Sequence, residues 1–408
     1  MKNNWKKNIV LFLASQTISL FGSSLVQYAI MWYITLQTQS GVMMTISIIC
    51  GFVPTFFLSP FAGVWADRYN RKLLIVMADF LIAAATFILA IIFLIGYREI
   101  WLLFAMSAVR ALGSAVQTPA VGALIPQIVP EDKLTKVNGA NGSIQALVML
   151  LSPMASGYLL SITTMENIFF IDVVTAAIAI IVLLVFLKIP AHSKAREKQS
   201  VSYFEDLKKG YVYIINHGYI KRFFIFIGIF FLLASPASFL TPLQVTRSFG
   251  DEVWRLTAIE VGFSVGMILG GVLMFYWGGF KNRIHTMTLS FLVIGTCTFT
   301  FGIIRSFWPY AAVMGAYGLS LPLFNTPATV LLQENVEGDY LGRVFGVLSM
   351  LSSSLMPLGM LFFGPLADIV KIEWLLIPTG ILTFIQAFFL IGSRVLVEVG
   401  KPKSEKSS

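Results

Sequence analysis

Four charged side chains interrupt stretches of sequence that are otherwise apolar: Asp79, Arg110, Asp172 and Glu260. In hydrocarbon each costs roughly 2.5–3.5 kcal/mol or more unless it is paired or faces water. A buried acid relieves that cost by taking up a proton, and releases it when its surroundings change. Asp79, Asp172 and Glu260 are therefore candidates for proton coupling, with Arg110 as their electrostatic partner. Each also has a plainer reading: Asp79 as a partner of nearby loop cations, Asp172 and Glu260 as interfacial acids, and Arg110 as a cation bonded to backbone carbonyls. No nucleophile–base pair, metal-ligand set, CxxC, HExxH or GxxxxGK(S/T) pattern is present. The sequence thus reads as neither an enzyme nor an ATP-driven pump, and no metal or cofactor is expected. Cys50 and Cys297 lie in apolar runs and read as small core residues.

The elements that must carry these charges follow from composition. Of 408 residues 57% are hydrophobic and only 12% charged, whereas a soluble domain carries roughly 25% charged residues. Lipid must be the solvent for most of this chain. Charges and turn residues divide it into twelve spans of the length a bilayer requires, near 8–35, 42–66, 73–96, 101–125, 137–163, 167–188, 223–246, 256–279, 284–304, 308–333, 344–369 and 374–394. The turn Thr38-Gln39-Ser40-Gly41 separates the first two. The expected fold is all-α, with twelve transmembrane helices in two pseudo-symmetric halves.

Lys and Arg set the orientation. With the N-terminus in the cytoplasm, 23 of the 29 fall on cytoplasmic segments, 5 on outer loops, and Arg110 lies within a span. The positive-inside rule selects that topology, with both termini cytoplasmic. The net charge of +9 is thereby accounted for without nucleic acid. The N-terminal Lys2–Lys7 and the apolar run after it read as an uncleaved first helix, because no charge follows between Asn8 and Ala66.

The most polar segment divides the chain into an N-terminal bundle at 1–189, a cytoplasmic linker at 190–221 and a C-terminal bundle with a basic tail at 222–408. Within the linker, aromatic and aliphatic residues recur at helical spacing from Tyr203 to Val212, which predicts an amphipathic helix on the inner membrane surface; a solvated linker is the plainer alternative. The halves repeat one another. Thr118-Pro119-Ala120 matches Thr326-Pro327-Ala328, and Asp132, Leu134 and Gly139 match Asp339, Leu341 and Gly346. Parallel six-helix repeats are a layout of secondary transporters.

Two further patterns bear on function. Gly63-Val64-Trp65-Ala66-Asp67-Arg68-Tyr69-Asn70-Arg71-Lys72 occupies the loop after the second span. Gly63 permits close helix approach, and Asp67 can receive Arg68 or Arg71. With Lys72, these residues are expected to form a gate. The corresponding loop of the second half, Gly278–Arg283, has no acid. In the fifth span Gly139, Ser152, Pro153, Ser156 and Gly157 give a small-residue face with a proline bend, interrupted by Val148. Gln16, Gln27, Tyr28, Gln145, Gln244 and Asn325 are polar groups in apolar helices and candidate lining of a substrate cavity, as suits an amphipathic ligand.

The loop pattern resembles the G-x-x-x-D-R-x-x-R-K signature of the major facilitator superfamily, and the fifth-span pattern resembles its exporter motif. Arg110 matches the superfamily's fourth-helix arginine, without the Gln-Gly that usually follows it. Over its whole length the chain resembles the macrolide-efflux branch, through Asn4-Trp5-Lys6, Asp79 with Ala83-Ala84-Ala85, Pro130–Lys136, Ile171-Asp172-Val173 and Tyr340-Leu341-Gly342-Arg343-Val344-Phe345. That resemblance implies a bacterial inner-membrane antiporter that exports a small amphipathic drug, a macrolide above all, against protons. A transporter of other cargo, such as a siderophore, tetracycline or metabolite, and a non-transporting sensor are the alternatives.

Overall fold

The computed structural model describes residues 5–187 and 203–401; within those ranges the side chains at 60, 67, 131, 135, 203–207, 338 and 339 are not described. Among the described residues there is no strand. A spanning chain must satisfy its own backbone, and helices do so within one segment.

The chain divides into two compact units. The first comprises Met1–Gln37 and Ile46–Ser200. It is built on α1 (Trp5–Thr38), α2 (Gly41–Arg68), α3 (Arg71–Leu94), α4 (Ile100–Ile128), α5 (Leu134–Ile162) and α6 (Met165–Ile181), which continues into a wider π-turn over Val182–Phe186. Asn70 starts α3 by accepting the Leu73 N–H on its side chain. α3 packs on both α4 and α6. At the α3–α4 contact a Cβ on Gly113 would overlap Ile82, so glycine sets how closely those helices approach.

The second unit comprises Thr38–Thr45 and Val201–Ser408. It holds α7 (Tyr203–Asn216), α8 (Gly218–Phe239), α9 (Thr241–Ser248), α10 (Val253–Trp277), α11 (Arg283–Phe301), α12 (Phe307–Asn335), α13 (Gly338–Ile369), α14 (Glu373–Gly392) and α15 (Arg394–Gly400). α8 and α9 form one span broken at Leu240, between Pro236 and Pro242. α7 is the helix expected near the end of the linker. It packs along α13, where Tyr213 stacks on Tyr340 at 4.3 Å between ring centroids. The rest of the predicted linker, 190–202, lies outside the described residues.

Eleven described helices are long and apolar enough to cross a membrane. The remaining predicted span, the tenth at 308–333, coincides with α12, a helix of 29 residues that holds Pro322 and Pro327 and is not among those eleven. α12 nevertheless packs along α10 and α11.

Candidate functional site

The first unit buries three of the four singled-out charges, two of them in one network. Arg110 of α4 donates from Nη1 to Asp172 Oδ2 of α6 at 2.5 Å and to Thr86 Oγ1 of α3 at 3.0 Å. Its Nη2 donates to the Ser23 carbonyl of α1 at 2.8 Å. Thr86 also donates to Asp172 Oδ2, at 3.2 Å, and Ser23 Oγ lies 3.4 Å from Asp172 Oδ1. Asp172 is 1% exposed and is the counter-ion of Arg110. Arg110 thus binds both an acid and a backbone carbonyl.

Asp79 differs. It is 2% exposed and has no cation within ion-pair distance among the described residues, which corrects its reading as a partner of loop cations. Oδ1 accepts from Ser19 Oγ at 2.8 Å and from Gln117 Nε2 at 2.6 Å. Oδ2 has no partner, and neither has the buried Nε2 of Gln16. One oxygen of this buried acid thus accepts two hydrogen bonds and the other accepts none among the described residues.

At the end of α2 the motif cations hold helix ends. Arg71 Nε donates to the Ala66 carbonyl and Nη1 to the Ala123 carbonyl, both at 2.9 Å. Lys72 Nζ donates to the carbonyls of Leu187 at 2.7 Å and Leu184 at 3.3 Å, where the π-turn leaves acceptors open. Arg68 is exposed, and the Asp67 side chain lies outside the described residues. The expectation for Gly63 is corrected: a Cβ there would meet nothing within 4 Å, so close packing does not require glycine. In the matching loop of the second unit, Arg283 pairs at 3.2 Å with Glu334 at the end of α12, an acid that inspection of the loop alone could not supply.

In α5 the expected small face is divided. Ser152, Pro153, Ser156 and Gly157 are buried, and the hydroxyls of both serines have no partner. A Cβ on Gly139 would meet nothing within 4 Å.

The second unit contains a cavity of about 220 Å³ between α8, α10 and α12. Glu260 and Asn325 both line it, together with Phe230, Phe263, Tyr317 and Phe324. Gln244, by contrast, is not a lining residue. It is 1% exposed, donates to the Phe301 carbonyl at 2.8 Å and accepts from Tyr310 at 2.9 Å, tying α9 to α11 and α12. Gln27 and Gln145 are exposed, and Tyr28 leans on Trp32 at 5.6 Å between centroids.

One cluster was not singled out in the sequence. Asp368 at the end of α13 accepts from the Gly41 N–H at 2.7 Å, the Val42 N–H at 3.0 Å and Ser40 Oγ at 2.7 Å. Arg247 of α9 bridges Asp368, at 2.6 Å, and the Gln39 carbonyl. Gln39 has φ 45°, the one positive φ outside glycine among the described residues. An Arg and an Asp at the ends of two spans were the available signal.

A family model described as Major Facilitator Superfamily matches residues 11–360. Macrolide efflux protein A of Streptococcus pyogenes is 29% identical over 378 residues, covering 92% of this chain and 93% of that protein. Macrolide efflux protein A of Enterococcus faecalis is 28% identical over 323 residues, covering 79% and 99%. Among solved structures, the nucleoside transporter NupG superposes with a TM-score of 0.70 at 14% identity over 95% of this chain and 98% of that one, a likeness of fold alone.

Proposed function

We propose that this chain, which belongs to the major facilitator superfamily and is a multi-pass membrane transporter of that family, exports macrolides and related amphipathic drugs by proton antiport. The likeness to macrolide efflux proteins along nearly the whole chain supports the cargo. The observation that carries the coupling is Asp79: a carboxyl 2% exposed, with one free oxygen and no cation against it, beside a completed Arg110–Asp172 pair.

The mechanism is alternating access, with the ligand site open first to one side and then to the other. A proton entering from outside binds the Asp79 carboxylate and leaves a neutral acid. The same proton leaves toward the cytoplasm when the site changes exposure. Coupling requires that proton and drug each bind the two states unequally. Arg110 keeps its own counter-ion throughout, so Asp172 holds charge and position while Asp79 changes charge. Glu260 is the second proton candidate, in the other unit. Arg68, Arg71, Lys72 and Asp67 form the cytoplasmic gate, with Arg71 and Lys72 releasing carbonyls at helix ends as it opens. Both termini lie in the bacterial cytoplasm, as the 23 to 5 distribution of Lys and Arg supports.

The test is export of labelled erythromycin from de-energised and then re-energised cells. Expected are energy-dependent efflux, its loss with a protonophore, and its loss in Asp79→Asn with protein still in the membrane. Efflux that survives the protonophore would remove the proton; absence of any efflux would remove the macrolide.

A further inference from the structure

We infer that the Glu260 cavity of the second unit is a pocket for the alkylated ammonium head of an amphipathic ligand. The inference rests on the exporter reading and gives it a substrate class, the tertiary or quaternary amines.

Five aromatic rings contribute to the cavity: Phe230 and Phe231 from α8, Phe263 from α10, and Tyr317 and Phe324 from α12. Phe230 and Phe324 lie 4.8 Å apart between centroids, and Phe263 and Tyr317 lie 6.3 Å apart, so the rings line the cavity as two groups. Glu260 is the one acid among the lining residues. No hydrogen bond or ion pair holds it among the described residues. The arginines of the second unit that have ion pairs are engaged elsewhere: Arg247 with Asp368, Arg255 with Glu252 and Arg283 with Glu334. Arg255, on the same helix as Glu260, also lies over the rings of Trp254 and Phe307.

The contrast with the first unit decides what the pocket lacks. There the buried Asp172 has Arg110 built in at 2.5 Å. Here an acid stands among aromatic rings with no ion pair among the described residues, and a cation brought by a ligand completes the pair. Ring faces attract cations, and aromatic cages select alkylated ammonium over ions that keep their water. Anionic ligands are repelled by the carboxylate. A volume of about 220 Å³ is below the roughly 300–1,000 Å³ of pockets that enclose a whole drug. The pocket therefore takes a head group and leaves the body of the ligand outside it. Asn325 and Ser238 are further polar groups on the lining, available to neighbouring hydroxyls of that body.

The experiment is equilibrium dialysis of labelled phenyltrimethylammonium against the full chain in nanodiscs, with empty nanodiscs subtracted. Wild type is expected to bind, and Glu260→Gln to bind at least tenfold more weakly, with Glu260→Asp between them. The uncharged isostere tert-butylbenzene is expected not to displace the probe. Equal affinity in wild type and Glu260→Gln, absence of binding to wild type, or displacement by the isostere would each overturn the inference. Should Glu260→Gln fail to fold, Phe263→Leu provides the second reading: binding about fivefold weaker is expected, and unchanged affinity overturns the pocket. The assay needs neither a proton gradient nor a macrolide. Probe binding that persists in a chain that exports no erythromycin would therefore remove the macrolide and leave the pocket standing.

Discussion

The two acids of the first unit differ in what stands opposite them, and that difference predicts opposite consequences for similar substitutions. Asp172 neutralises a guanidinium that also holds Thr86 and Ser23. Asp172→Asn leaves Arg110 buried without a counter-ion, a change that costs about 3–5 kcal/mol when one partner of a buried pair is removed. A marked fall in thermal stability in detergent is expected, and the double change Arg110→Met with Asp172→Leu is expected to recover most of it, since apolar replacement of a whole buried pair is often neutral. Asp79→Asn, by contrast, retains an acceptor for Ser19 and Gln117, so the fold is expected to survive while coupled export fails. Equal loss of stability in both variants would show that Asp79 also carries a structural charge. The sequence made all four charges visible, because any charge stands out in an apolar run. It could not show which were paired: the partners Ser19, Thr86 and Gln117 are ordinary helix residues until three helices bring them together.

At the scale of elements, the start of α2 depends on a residue more than 300 positions away. Its first N–H groups have no intrahelical acceptor. Asp368 supplies one to Gly41 and Val42, acting as an N-cap delivered from the end of α13. Gly41 permits the approach, since a Cβ there would strike the Gly364 backbone. Arg247 neutralises the acid and holds the carbonyl of Gln39, whose left-handed backbone is itself unfavourable for a residue with a side chain. Loss of a capping acid costs about 0.5–2 kcal/mol. In Asp368→Ala, amide hydrogen exchange across 38–45 is therefore expected to quicken several-fold, with Arg247→Ala giving a smaller change in the same direction. Unchanged exchange in Asp368→Ala would mean that the turn holds itself. The sequence marked the turn through Ser40-Gly41, and hydropathy marked the helices on either side. The contact that fixes it was not legible, because Asp368 and Arg247 sit where span ends ordinarily carry charge. The same limit hid Glu334 from the loop that contains Arg283.

At the scale of the whole molecule, the number of crossings decides where the C-terminus lies. Eleven crossings would put the two ends on opposite sides of the bilayer, and twelve put them on the same side, so α12 is the helix in question. Two arguments favour a crossing. α10 is apolar enough to span, and α12 lies along it with backbones close: Cβ atoms added at Gly266 and Gly270 would strike the carbonyls of Gly315 and Leu319. Contacts repeated at successive turns require the two helices to share depth. The charges agree. With α12 across, Lys and Arg divide 23 inside to 5 outside; with α12 excluded, Arg343 and the four cations of the C-terminal tail move outward, Lys371 moves inward, and the division becomes 19 to 9. Pro322, Pro327 and Asn325 are tolerable there because neighbouring helices cover much of α12. A reporter that fluoresces only in the cytoplasm, fused after Ser408, is therefore expected to light, and alkaline phosphatase fused at the same point to stay inactive. The reverse pattern would take α12 out of the membrane, and with it Tyr317, Phe324 and Asn325 from the wall of the Glu260 cavity.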